Sequence, residues 1–263
     1  TKILYMAGQP YRWITFDVVT KQTTELVASS FPFGKTSQVF EELPKARNRT
    51  LGIGHNGNGE QNLTVFGVDL VNKSIAGSIN IPNLFSSGVA QPDPQWGNPA
   101  IDWATVTPSG KYIAIQWERD GSSRASGCEL YDFVTGAFVK QLHDHHAHGD
   151  WGMNAAGEEF YATVLLAHAA NNNYPALVLE WLNKAPTHIR MLEWGAIEHI
   201  SCRGLPGQIV LTASPSKATS IPAMCGEIWM INATSGVVNR LAHHRSSAAD
   251  YWSQPRATVS RNG

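Results

Sequence analysis

Residues 130–142 read LYDFVTGAFVKQL: a hydrophobic run, an aspartate at Asp132, a tight turn reaching Gly136, and a second short run. This is the pattern of a β-hairpin whose turn is made by a short polar side chain and a residue free to take positive φ. The same phrase recurs as TFDVVTKQTTEL around Asp17, VFGVDLVNKSIAGSI around Asp69, LEWLNKAPTHIRML around Asn183 and IWMINATSGVVNRL around Asn232. A second phrase lies between the copies, a strand, a turn ending in glycine, and another strand. It reads WATVTPSGKYIAIQW at Gly110, DWGMNAAGEEFYATV at Gly157 and HISCRGLPGQIVLTA at Gly207. Roughly four short strands in a repeat of about 40–50 residues is the signature of a β-propeller. The expected fold is therefore all-β, a single β-propeller domain over residues 1–263 with about five blades visible, either a closed five-bladed ring or part of a larger propeller.

Composition agrees with a large antiparallel core. The chain has 263 residues, 43% hydrophobic and 16% charged, with 23 glycines and nine tryptophans. Twenty Lys and Arg oppose 21 Asp and Glu for a net charge of -1, so bulk charge points to no nucleic-acid or membrane-surface partner. No apolar run approaches the roughly 18 residues of a membrane span. The chain begins at Thr1, without methionine or signal peptide, which implies processing, trimming or an internal piece. The closing SQPRATVSRNG reads as the first strand and turn of a blade, and the opening TKILYMAG as the next strand, so the termini are expected to complete one unit. No segment has the period of an amphipathic helix. Ile81–Asn98, Asp120–Gly127 and Ser214–Ala223 read as long loops.

Propellers place functional groups around one mouth of the channel. Counting back from each turn glycine starts the channel strands at Asp102, His148, His199 and Gln254. The loops entering them hold His143, His145 and His146, then Glu198, then His243, His244, Asp250 and Tyr251. Histidine here has three readings: a general base with a pKa near 6.5, a metal ligand, or a solvated or hydrogen-bonded loop residue. Three cysteines, Cys128, Cys202 and Cys225, argue against a disulfide framework. His199, Cys202, Cys225 and His243 belong to one repeat, and two thiolates with two imidazoles make a closed structural zinc site. The bland alternative is a pair of buried cysteines acting as small hydrophobes. Arg203 follows Cys202 and can hold a carboxylate or pair with a neighbouring aspartate. Tyr251 is a proton donor or a rim aromatic that stacks on a sugar.

HAHGDWGMNAAGEE, HISCRG, GEIWMINATSGVVNRLAHHRSS and DYWSQPRATVSRNG resemble the propeller polysaccharide lyases, the ulvan lyases and oligogalacturonate-lyase-like proteins with TolB-like repeats. The resemblance is strongest over Leu142–Gly263, and because the family is usually a seven-bladed propeller it implies that the five visible blades are part of a seven-bladed ring. It implies eliminative cleavage of a uronate-containing polysaccharide. His146 or His148 would be the base, Arg203 the group that neutralises the uronate carboxylate, and Tyr251 a supporting acid. His199, Cys202, Cys225 and His243 would hold zinc. It further implies an acidic polysaccharide or oligosaccharide as partner, a monomer, and a periplasmic or secreted location. The alternative is a non-catalytic TolB-like binding or scaffold module. A metal-dependent hydrolase is weaker, because no carboxylate has metallohydrolase spacing.

Overall fold

The computed structural model describes residues 2–7, 12–25, 35–37, 46, 48–55, 63–92, 94, 97, 99–165, 176–191, 197–214, 225–247 and 253–260. The chain divides into two compact units, Thr1–His146 and Ala147–Gly263. Both are built from antiparallel meanders, and the fold is all-β of the propeller class.

Unit 1 holds three sheets. The first is β1 (Lys2–Ala7), β2 (Arg12–Asp17) and β3 (Thr23–Glu25), and the second is β4 (Lys35–Ser37), β5 (Arg49–His55), β6 (Leu63–Asp69) and β7 (Ser74–Asn80). The third is β8 (Ile101–Val106), β9 (Tyr112–Trp117), β10 (Cys128–Asp132) and β11 (Phe138–His143). Each sheet runs in chain order with every neighbour antiparallel. Leu51, Ile53, Val65, Ile113, Ile115 and Trp117, all at 0% exposure, pack between the second and third sheets. Burying each such side chain contributes about 1.5–3 kcal/mol.

Unit 2 holds two four-stranded sheets. One is β12 (Gly149–Met153), β13 (Glu159–Leu165), β14 (Ala176–Trp181) and β15 (Thr187–Met191). The other is β16 (Ile197–Ser201), β17 (Gln208–Ala213), β18 (Glu227–Asn232) and β19 (Val238–His243). Their shared core includes Phe160, Leu177, Leu179, Cys202, Ile209 and Trp229.

The repeated turn is one structure in four of its five copies. Asp17 Oδ1 accepts from Val19 N and Thr20 N, Asp69 Oδ1 from Val71 N and Asn72 N, Asp132 Oδ1 from Val134 N and Thr135 N, and Asn232 Oδ1 from Thr234 N and Ser235 N, all at 2.8–3.1 Å. The fourth residue on takes positive φ each time: Lys21 at 60°, Lys73 at 54°, Gly136 at 71° and Gly236 at 69°. Asn183 departs from the set. It falls beyond the end of β14 and three residues before Pro186, which fixes φ negative and supplies no N–H. Gly110, Gly157 and Gly207 take φ of 76–81°, as the second phrase requires.

Two expectations are corrected. The stretch Ile81–Asn98 contains a short helix, α1 (Ile81–Ser86), whose N-cap Asn80 accepts from Asn83 N at 3.0 Å with a proline in the first turn. Six residues are too few to show an amphipathic period, so only the Asn-Ile-Pro start was legible. The C-terminal segment 253–260, with Gln254, forms no strand. It lies against β16 and β17, with Thr258 Oγ1 2.8 Å from Ser201 Oγ and Ala257 N donating to Thr212 Oγ1 at 3.1 Å. Of the other two loops, Asp120–Gly127 is clamped by Arg119, which donates to Ser126 Oγ and the Arg124 carbonyl, and Ser214–Ala223 lies outside the described residues beyond Ser214. Among the described residues no helix is long and apolar enough to cross a membrane.

Candidate functional site

The site is built at the start of β8. Ile101 pairs with Trp117 and Trp103 with Gln116, so Asp102 is the extra residue of a β-bulge. A bulge breaks the strict alternation of faces and re-aims one side chain. The neighbours Ile101 and Trp103 are 7% and 2% exposed, and Asp102 is held half-buried between them. Its Oδ2 stands 2.9 Å from His146 Nε2.

His146 arrives from the other end of the same sheet, three residues past the end of β11. Its loop is fixed from both sides. His146 N donates to Asp120 Oδ1, and the buried Gln116 donates through Nε2 to the His145 carbonyl at 3.1 Å. The Asp102 hydrogen bond raises the His146 pKa above its ordinary value against an opposing effect of burial, with further support from the charges of Asp102, Asp120 and Glu118. At 36% exposure the imidazole is reachable from solvent.

His143 has the opposite environment. It is 7% exposed and stacks on His145 with ring centroids 4.2 Å apart. Gln116 uses its amide nitrogen on two carbonyls, so its Oε1 is the acceptor and His143 Nε2 donates to it at 3.0 Å. Burial, and then the neighbouring His145, press its pKa well below the ordinary value. His143 is thus a neutral structural histidine.

His148 is exposed, its carbonyl tied to Thr163 Oγ1 at 2.8 Å just before β12. Arg203 is half-buried just past β16. These two belong to unit 2, whereas His146 belongs to unit 1. Tyr251 and Asp250 lie outside the described residues.

The four expected zinc ligands do not converge. Among the described residues, no group of three or more potential ligands with atoms within 4.8 Å of one another includes His199, Cys202, Cys225 or His243. The physical reason lies in their partners. Cys202 is buried, with Sγ 3.6 Å from the Asp150 carbonyl while its own N donates to Asp150 Oδ2 at 2.6 Å. Cys225 packs against the apolar core of unit 2. His199 Nε2 accepts from Arg256 Nε at 3.2 Å, and His243 Nδ1 lies 2.9 Å from the His244 carbonyl. His244 spans the Ala213 carbonyl and Ser246 N. The cysteines follow the hydrophobic reading. Side chains able to ligate a metal gather instead around Asp102 and His146 and around His143 and His145.

Asp102 was legible as the start of a channel strand but not as the partner of His146. The signal was an aspartate between two large apolar residues in IDW, where regular alternation leaves one face for both neighbours. Gln116 and Asp120 left no comparable trace.

No family model matches the chain, and no curated protein is similar to it in sequence. Solved structures are similar in fold. An oligogalacturonate lyase in complex with manganese is 11% identical with a TM-score of 0.44, over 94% of this chain and 60% of that one. A post-proline cleaving enzyme from Rickettsia typhi is 10% identical with a TM-score of 0.51, over 93% of this chain and 38% of that one. The β-propeller domain of the trilobed protease from Pyrococcus furiosus is 11% identical with a TM-score of 0.38, over 98% and 81%. The chain thus spans 60% of the lyase's length and 38% of the post-proline enzyme's. At such identities the likeness is one of fold. It defines the class, an all-β protein of the propeller type, and does not carry the resemblance down to the ulvan lyases.

Proposed function

We propose that the chain is a polysaccharide lyase that cleaves a uronate-containing polymer by β-elimination, with His146 as the base and Asp102 as the residue that holds it. The observation that carries this reading is the 2.9 Å contact between His146 Nε2 and Asp102 Oδ2. In the neutral imidazole, Nε2–H donates to the carboxylate, which leaves the lone pair on Nδ1. That nitrogen takes the proton from the carbon beside the uronate carboxyl group. The carbon–oxygen bond on the adjacent carbon then breaks, the oxygen leaves with the electron pair and takes up a proton from the imidazolium or solvent, and a carbon–carbon double bond forms in the uronate ring. Asp102 fixes the tautomer and stabilises the imidazolium as it forms. Because the pKa is raised, His146 is a stronger base than free imidazole, and its working form is populated only on the alkaline side of that value.

The carboxylate of the substrate also needs a cation to stabilise the enolate. The roles of Arg203, of His148 as a second histidine and of Tyr251 as an acid rest on the resemblance alone. Zinc held by His199, Cys202, Cys225 and His243 has no place in this reading. The reading carries with it an acidic polysaccharide or oligosaccharide as partner, a monomer, and a periplasmic or secreted location.

A second reading, a non-catalytic binding module, is favoured by one observation: unit 1 has an open groove lined by Arg124, amides, hydroxyls and aromatic side chains, with no histidine or carboxylate among the lining residues. The test is incubation of the protein with a panel of uronate polysaccharides, followed by ultraviolet absorbance for unsaturated uronate ends. Accumulation that disappears in His146→Ala supports the lyase. No unsaturated product from any polymer in the panel overturns it in favour of the binding module.

A further inference from the structure

The groove of unit 1 shares no lining residue with the Asp102–His146 pair and has a volume of about 650 Å³. One wall is the end of β7 and the helix α1, which present Ser78, Asn83 and Ser86. The other is Arg124, Tyr131 and Phe138.

Arg124 is set in a fixed orientation. Its Nε donates to Glu129 Oε1 at 2.7 Å and its Nη2 to the Tyr131 oxygen at 3.3 Å, while the guanidinium lies 3.5 Å from the centroid of the Phe138 ring. Glu129 is 0% exposed, and both of its oxygens are saturated. Oε1 also accepts from Ala125 N at 3.0 Å, and Oε2 accepts from Trp117 Nε1 at 3.0 Å and the Tyr131 hydroxyl at 2.6 Å. Burial, and then the charge of Glu129, push the Tyr131 phenol far up, so it stays protonated. The buried carboxylate therefore cancels the guanidinium charge and leaves Arg124 Nη1 as a rigid donor. Among the described residues, Nη1, the Asn83 amide and the Ser78 and Ser86 hydroxyls make no hydrogen bond. Phe138 is 39% exposed beside them.

A preset guanidinium whose charge is balanced by a buried carboxylate, a free amide, two hydroxyls and a partly exposed ring match the hydroxyl groups and C–H face of a sugar. A phosphate or an isolated carboxylate would gain hydrogen bonds but little Coulomb energy, because Glu129 sits behind the only cation. We infer that this groove is a binding subsite for a neutral sugar unit of a glycan chain. The inference goes beyond the lyase reading and does not depend on it.

The test is calorimetric titration of the full chain with neutral gluco-, xylo- and galacto-oligosaccharides, with oligogalacturonate and inorganic phosphate as anionic probes. Arg124 is tied to a buried carboxylate, so the variants are Asn83→Ala, which leaves every Arg124 contact in place, and Phe138→Ala, which removes the stacked ring but leaves the Arg124–Glu129 hydrogen bond, with folding checked by circular dichroism. A neutral oligosaccharide should bind with an affinity that high salt does not change, and each variant should weaken it about tenfold. Three results would overturn the inference: no binding of any neutral probe, binding of the anionic probes alone with loss in salt, or unchanged affinity in both folded variants. The readout is binding, so failure to form unsaturated uronate would overturn the lyase reading and leave this one standing.

Discussion

Two regions of this chain offer histidines where the repeat starts a strand, and they end differently. At β8 a bulge turns Asp102 onto His146, and the carboxylate raises the imidazole pKa. At β16 the register shifts in the same place, between Ile197 and His199, with Glu198 as the extra residue. Yet His199 meets Arg256, and Cys202 turns to the Asp150 carbonyl. The same local device yields an aspartate–histidine pair in unit 1 and an arginine–histidine contact in unit 2. Position in the repeat thus brings a side chain to an edge, and the loop that closes over it decides its chemistry.

The largest expected effect breaks the dyad. His146→Ala should lower the elimination rate about 10²–10⁴-fold, the usual contribution of a positioned base. His199→Ala, its counterpart in unit 2, should leave the rate within about threefold in the same absorbance assay, because the ring nitrogen Nε2 of His199 is occupied by Arg256. A large loss in the second variant would remove the distinction between the regions.

The repeated turn gives a second comparison. Gly136 and Gly236 share positive φ, but a methyl group at Gly136 would collide with the Ser78 backbone, whereas at Gly236 its nearest neighbour is an Ile189 methyl at 3.8 Å. Chemical denaturation should show a loss of about 2–5 kcal/mol for Gly136→Ala, from overpacking added to backbone strain. For Gly236→Ala the loss should be about 1–2 kcal/mol, from strain alone. Lys73 occupies the same backbone position with a side chain, so Lys73→Gly should be stabilising by up to about 1 kcal/mol.

The smallest effect concerns the cysteines. Cys225 should react with a thiol reagent faster than the buried Cys128 and Cys202, and a chelator should not change either rate. Thiols that become reactive only after chelation would restore the zinc site.

Much of the fold was legible because its signals are local. The Asp132 phrase carries its own turn, since the side chain of residue i captures the amides at i+2 and i+3. Asn183 has the right residue type but sits one step late before Pro186, and composition alone does not reveal that offset. The site was half legible. His146 stood out as part of a histidine run, but Asp102 reaches it through a register shift 44 residues away, and register shifts leave no mark on hydropathy. The zinc expectation rested on membership of one repeat, which limits the distance between residues but does not set what each side chain meets: Cys202 and Cys225 both contact the apolar core of unit 2, and His199 meets Arg256.

The central claim is that Asp102 makes His146 the working base, and the elimination rate as a function of pH tests it most directly in wild type and Asp102→Asn. The hydrogen bond and charge of Asp102 favour the imidazolium, so removing them lowers the His146 pKa. Activity requires the neutral imidazole. It should rise as pH increases through an inflection above 6.5, the ordinary histidine value, in wild type, and that inflection should move to lower pH in the variant, with a lower plateau. An inflection that stays in place when Asp102 is replaced, or a wild-type profile with no eliminative activity at any pH, would contradict the account.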